Sequence, residues 1–170
     1  MGFAEFFADQ RLAALYAYWS GKRGARPMPG RADIDPAELR LLLPHLLLID
    51  VVDGGQDFRY RLVGTEIERQ IGRQVTGRMI GEALSGDYLA YILSLHRRVL
   101  AERASVYAEN SFNEGRAGFG LLADYKRTYR LMLPLSKDGT EIDMMLCGQV
   151  FQSNRARADE EILLIDSDVR

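Results

Sequence analysis

The sequence predicts an α+β domain in which short helices separate an early pair of strands from a later hairpin. Two stretches carry that prediction. The run FRYRLVG, from Phe58, alternates bulky and charged residues like a strand and leads straight into TEIERQIGRQVTGRMIGEAL, which glycines cut into short helical pieces. The run YKRTYRLMLPLSKDGTEIDMMLCGQVF, from Tyr125, reads as strand, turn and strand. A third observation sets the scale: 170 residues, 47% hydrophobic and 27% charged, suit one domain with a sizeable core.

The first element is a helix over residues 3–19. Ala8, Leu12, Leu15, Tyr16 and Trp19 fall on one face, and that stripe needs either a sheet face or the same helix of a second subunit. Gly21, Gly24, Pro27, Pro29 and Gly30 then interrupt regular structure. Asp35 is an N-cap candidate with Pro36 at the first helical position, and Glu38 stands at capping-box spacing, so a short helix is expected up to Pro44. The apolar run LLLIDVV has strand length. Asp53-Gly54-Gly55 turns it into the next strand, where Phe58, Tyr60 and Leu62 share one face and Arg59 and Arg61 the other.

Thr65, with Glu68 three residues on, signals the start of another short helix. Gly72, Gly77 and Gly81 keep the following pieces brief. Asp87 is the expected cap of a longer helix over about residues 88–103, with Leu89, Ile92, Leu93, His96, Val99 and Leu100 as its apolar stripe. VYAENSF is the next strand and NEGRAGFG a glycine-rich loop. Thr128 to Leu135 and Glu141 to Phe151 form the closing hairpin around SKDGT. The tail from Ser153 is polar apart from EEILLID.

Composition excludes several function classes. A formal net charge of -2 argues against a uniformly basic nucleic-acid surface. A single cysteine, Cys147, precludes an internal disulfide and fits a reducing cytoplasm. No apolar run approaches the roughly 20 residues of a membrane span. The start MGFAEFFADQ has no basic segment of a signal peptide, and Phe6 stands where a myristoylation signal needs Ser or Thr.

The chemistry-bearing residues are few. His96, on an apolar helix stripe, is either a metal, haem or ligand contact or a core histidine satisfied by a backbone carbonyl, and no second metal ligand stands at a useful spacing. His45, at a helix-to-strand junction, has no triad or metal partner nearby, and Cys147 has the apolar neighbours of a packed thiol rather than a reactive one. The loop Gly115 to Gly120 lacks the order of a phosphate-binding motif. Arg59, Arg61, Arg69, Arg73, Arg78, Arg97, Arg98 and Arg130 include enough guanidinium for an anion site, or form a solvated face balanced by Asp and Glu. Glu66, Glu68, Asp33 and Asp35 are explained by helix starts, so no acid–base pair supports an enzyme.

Trp19, PMPGRADIDPAELRLLLPHLLLIDV, FRYRLVGTEIERQIGRQVTGRMIGEAL and YRLMLPLSKDG, in that order, resemble the compact single-domain bacterial PAS-type family over roughly residues 15–152. The pieces R-A-D-I-D-P with its following L-L-P, and R-Y-R-L-V-G-T with its later G-R-x-x-T-G, carry most of the likeness. Arg31, Asp35, Pro36, Arg61, Gly64, Thr65 and Gly77 are its recurring residues here, and they read as caps, helix entrances and tight turns. The resemblance implies a five-stranded antiparallel sheet with helices on one face, preceded here by an extra N-terminal helix. It divides the chain into an N-terminal helix and linker (1–30), the PAS-like domain (31–152) and a tail (153–170). It offers no catalytic set and names no cofactor. The flavin-reactive Asn-Cys-Arg motif of light-sensing relatives is absent.

The resemblance further implies a cytoplasmic signalling domain without catalysis, with a hollow between the long helix and the sheet. Tyr60, Leu62, Ile71, Met79, Leu93, His96, Leu100, Leu131, Met144 and Leu146 are the expected walls for a small ligand. Output is expected through a homodimer or an unidentified signalling partner, with no nucleic acid and no membrane span. The alternative is a pure dimerisation module with a filled core, whose surface is residues 3–19 with Phe3, Phe6 and Phe7 exposed.

Overall fold

Apolar runs of strand length, separated by glycine turns, assemble into one sheet in the computed structural model, which describes residues 7–113 and 125–153. The strands are β1 (Leu46–Val52), β2 (Asp57–Val63), β3 (Val106–Asn113), β4 (Tyr125–Leu135) and β5 (Met144–Ser153). Their order is β2-β1-β5-β4-β3, every neighbouring pair antiparallel. β1 therefore lies beside β5, the last strand, and a set of helices bridges β2 to β3.

Between β1 and β2 the turn Asp53–Gly55 keeps φ positive at all three residues (47°, 64° and 95°), which is why two of them are glycine. Ile49 pairs with Tyr60 but Leu48 with Leu62, leaving Arg61 as an extra residue. This β-bulge reverses the alternation. Phe58 and Tyr60 face one side of the sheet and Leu62 the other, where it is 41% exposed, so the expected common face of all three is corrected. Arg61 reaches Asp50 across the strands at 3.5 Å. Outside β2, residues 77–79 lie along its open edge: the Tyr60 amide donates to the Arg78 carbonyl, and the Gly77 amide to the Tyr60 carbonyl.

The helices are α1 (Gln10–Arg23), α2 (Thr65–Ile71), α3 (Ile80–Ala83) and α4 (Gly86–Glu102). α1 starts later than its apolar stripe suggests because Asp9 caps it, accepting from the Arg11 amide at 2.8 Å. Its stripe, Leu12, Leu15 and Trp19, is buried on the sheet of its own chain, not against a second subunit. A Cβ at Gly148 would lie 2.7 Å from the tips of both leucines, so glycine there is what lets α1 seat on β5. The Trp19 indole donates to the Pro134 carbonyl at 2.9 Å. Pro134 is tolerated because β3 begins opposite Met132, and beyond that point β4 pairs only with β5.

Three boundary expectations change. After Asp35 there is a chain of turns rather than a helix; the Asp35 carboxylate binds the Ala37 amide, and Glu38 takes Tyr18 and Lys22 instead of closing a capping box. α2 is capped by Gly64, not Thr65. A Cβ there would lie 2.3 Å from the Pro44 carbonyl oxygen, and the packing of β1's entry against α2 needs that space. α4 begins at Gly86 with Ser85 as its N-cap, two residues ahead of the expected Asp87 cap. The sheet is thus covered on both faces, by α1 on one and by α2 to α4 on the other, which explains why β5 is buried from Met144 to Val150. The glycine-rich loop from residue 114, the tail after Ser153, and Phe3 and Phe6 lie outside the described residues. Phe7 is not an exposed aromatic; its ring packs on Tyr16 and edge-on to Tyr107 at 5.0 Å.

Candidate functional site

A cavity of about 80 Å³ lies between α2, α4 and the sheet. The register explains its floor. Thr128, Arg130 and Met132 of β4 stand opposite Phe151, Gln149 and Cys147 of β5, and all six face it. Leu47 and Ile49 of β1 and Tyr60 of β2 extend that floor; Ile67 and Ile71 of α2 and Tyr88, Ile92 and His96 of α4 close the roof.

Of the expected walls, Tyr60, Ile71 and His96 line this cavity. The other seven are placed elsewhere. Leu131 and Leu146 share the face of Gly148 and so lie beneath α1. Leu62 is turned to that face by the bulge. Met144, paired with Asp50, lines a shallow groove with Arg31 and Asp143. Leu100 packs over Gly55, Met79 sits at the entrance to α3 paired with Arg59, and Leu93 is half-buried on α4 outside the cavity lining. On β4 the expectation takes the row of Leu131, whereas Thr128, Arg130 and Met132 line the cavity; both rows are buried, so burial does not tell them apart.

His96 is 6% exposed and donates its Nδ1–H to the Ile92 carbonyl one turn back, at 2.7 Å. Its ring lies 4.9 Å from that of Phe58. Burial, with the nearby Arg130 charge opposing protonation as well, pushes its pKa down to about 4. The imidazole is neutral at ordinary pH and presents Nε2 as an acceptor. Burial pushes the Cys147 thiol up to about 12 despite the Arg130 charge, so it is an inert packing group. Burial also raises the Tyr60 phenol, which stays protonated. His45 is remote from the cavity. It accepts from an Arg11 guanidinium N–H at 2.9 Å and ties the start of α1 to the entry of β1.

Arg130 is the charged residue among the cavity-lining side chains that the expected walls leave out. It is 5% exposed, donates to the Asn110 Oδ1 and to the Tyr88 hydroxyl at 2.7 Å, and lies 5.8 Å from the Tyr88 ring centre. Its signal was present in the sequence as one charged residue flanked on its own strand face by Thr128 and Met132. The other arginines are spent elsewhere: Arg69 on Glu66, Arg98 on Glu102, Arg97 on the Gly55 and Gln56 carbonyls, Arg73 on the Ala83 carbonyl. Among the described residues no three His, Cys, Asp or Glu side chains gather as a metal site, and no helix is long and apolar enough to cross a membrane.

A family model described as PAS domain matches residues 8–147. Among solved structures, the PAS domain from Bordetella pertussis BvgS aligns at 19% identity and a TM-score of 0.45, covering 71% of this chain and 88% of that one. No curated protein matches the chain.

Proposed function

The chain belongs to the PAS domain family, a family of sensory and interaction modules, and on that premise we propose that it is a sensor that binds a small molecule between α4 and the sheet. One observation carries the reading: the cavity is lined by buried polar groups of four elements, among them Tyr60, His96, Arg130 and Gln149, inside an otherwise apolar shell. A hollow with a few convergent polar groups is the usual form of a small-molecule site. The action we propose is binding, since the described polar lining of Tyr60, Gln70, Tyr88, His96, Thr128, Arg130 and Gln149 offers hydrogen-bonding groups for a ligand. The bound state would reach the surface through β4 and β5, whose opposite faces carry α1. Output would then pass to a homodimer contact or a signalling partner as a shift between two populations.

Native mass spectrometry of the protein as purified from its own cells tests this. A small added mass is expected, and it should vanish in Ile92→Phe, whose ring would occupy the cavity. An unliganded mass for both proteins, with the Ile92→Phe protein melting higher than the parent, would instead favour the interaction module, since filling the hollow would then cost nothing functional.

A further inference from the structure

Resting on the reading of this cavity as a ligand site, we infer that its ligand is a small organic carboxylate, with the charged end on Arg130 and Gln149 and the carbon skeleton on the apolar walls.

The argument begins with charge. Arg130 is buried, yet both of its amino groups are held by neutral oxygens, those of Asn110 and Tyr88. No carboxylate of a described residue comes within ion-pair distance. The contrast within the chain is sharp: Arg11, Arg26, Arg61, Arg69 and Arg98 are all more exposed, and each reaches an Asp or Glu. Water already stabilises those five. Arg130 is an arginine that water does not stabilise, and it has no counter-charge among the described residues, although buried charges are ordinarily paired. Among the described residues the cavity lining contains no Asp or Glu that could supply one.

The second observation is independent of charge. Gln149 stands directly across the strand pair from Arg130 and is 8% exposed, but its carboxamide makes no hydrogen bond with any described residue. The same holds for the buried Thr128 hydroxyl, one step along the same face of β4, and for Nε2 of His96. These three residues line the hollow, and their polar atoms are open to it rather than sealed among protein atoms, so a partner for them has to come from within the cavity. Here donors and acceptors beside a guanidinium converge on one hollow. A guanidinium and a neighbouring amide N–H offer the in-plane donors that a carboxylate accepts.

The remaining walls decide the rest of the ligand. Leu47, Ile49, Ile67, Ile71, Ile92 and Met132 surround the polar floor. An inorganic anion would leave them uncovered and would itself be stripped of water by them. A single positive charge and a neutral His96 match one carboxylate rather than two. The volume of about 80 Å³ suits a short carbon chain.

The test is a titration of the full chain, labelled with nitrogen-15, using propionate, its neutral analogue propionamide, and inorganic phosphate, read on the Arg130 Nε–H and Gln149 side-chain amide resonances. Propionate is expected to shift both saturably and to bind roughly ten-fold or more tightly than propionamide, the scale of a charge-assisted hydrogen bond. Arg130→Gln should abolish that preference. Arg130→Lys, which keeps the charge without the fork, should retain part of it and guards against a variant that fails to fold; the wild-type resonances need no variant. Equal binding of propionate and propionamide would overturn the carboxylate assignment and leave the sensor reading standing. Phosphate binding as tightly as propionate would overturn the organic part of it. If no probe moves either resonance, and natural ligand is also missing in native mass spectrometry, both readings fall together.

Discussion

At the scale of single residues, His96 feels opposed influences: its bond to the Ile92 carbonyl favours the proton, while burial, helped by the Arg130 charge, disfavours it and prevails. Its Nδ1–H is committed to a carbonyl within its own helix, and its ring is buried beside an arginine and against Phe58. The folded state therefore resists protonation until pH about 4, while an unfolded chain takes up the proton near the ordinary value of 6.5. Stability from this residue is complete above pH 6.5 and drains away as pH falls toward 4, because only the unfolded state gains a proton in that window. Below 4 both states are protonated and the loss stops growing. Urea denaturation across that range should show wild type losing about 3 kcal/mol more than His96→Gln, which has no titrating group there. Equal slopes would mean that the imidazole is reached by water.

At the scale of elements, two glycines seat neighbouring pieces against each other, and they differ in what they touch. A Cβ at Gly64 would meet the backbone carbonyls of Leu43 and Pro44, which cannot rotate away. A Cβ at Gly148 would meet only the ends of Leu12 and Leu15, which can. Gly148→Ala should cost about 1–3 kcal/mol, the range for overpacking, and Gly64→Ala more than about 3 kcal/mol, both measured by chemical denaturation. The reverse order would mean that the start of β1 yields more readily than α1. The sequence makes the elements legible where a single physical signal dominates. The core of the α1 stripe (Leu12, Leu15, Trp19), the Asp53-Gly54-Gly55 turn, the closing hairpin, and Ile92, His96 and Val99 of the α4 stripe are in place, while Leu95 is buried where Leu89, Leu93 and Leu100 are only half-buried. It misleads where two signals compete. Asp35-Pro36 has the chemistry of a helix start, but Asp35 spends its carboxylate on a local turn and Glu38 is drawn to Tyr18 and Lys22 of α1.

The cavity walls are harder to read than the elements because the sheet is covered on both faces. On β4, Leu131, Leu133 and Leu135 look like the inner row, yet they lie under α1, while Thr128, Arg130 and Met132 face the cavity. Period-two alternation names two faces but does not say which belongs to which layer. The bulge at Arg61 adds a second reversal, on β2, that no composition signal announces. His96, Tyr60 and Ile71 were legible because two of them sit on helix faces with one buried side and the third precedes the bulge.

At the scale of the whole molecule, the sheet has two rims, β2 and β3, and they are not equivalent. The rim at β2 is already occupied. Residues 77–79 take up both the Tyr60 amide and its carbonyl, the bulge twists the strand, and Arg59 and Arg61 stand exposed along it. A strand from another molecule would have to displace residues 77–79 from Tyr60 to join there. Growth of the sheet from chain to chain needs two open rims, one to give and one to receive. With one rim closed by its own chain, pairing through strands terminates at a couple joined β3 to β3, and sedimentation over a wide concentration range should show no ladder of larger species. The short strap that ties down a single tyrosine is, in that sense, a terminator of polymerisation.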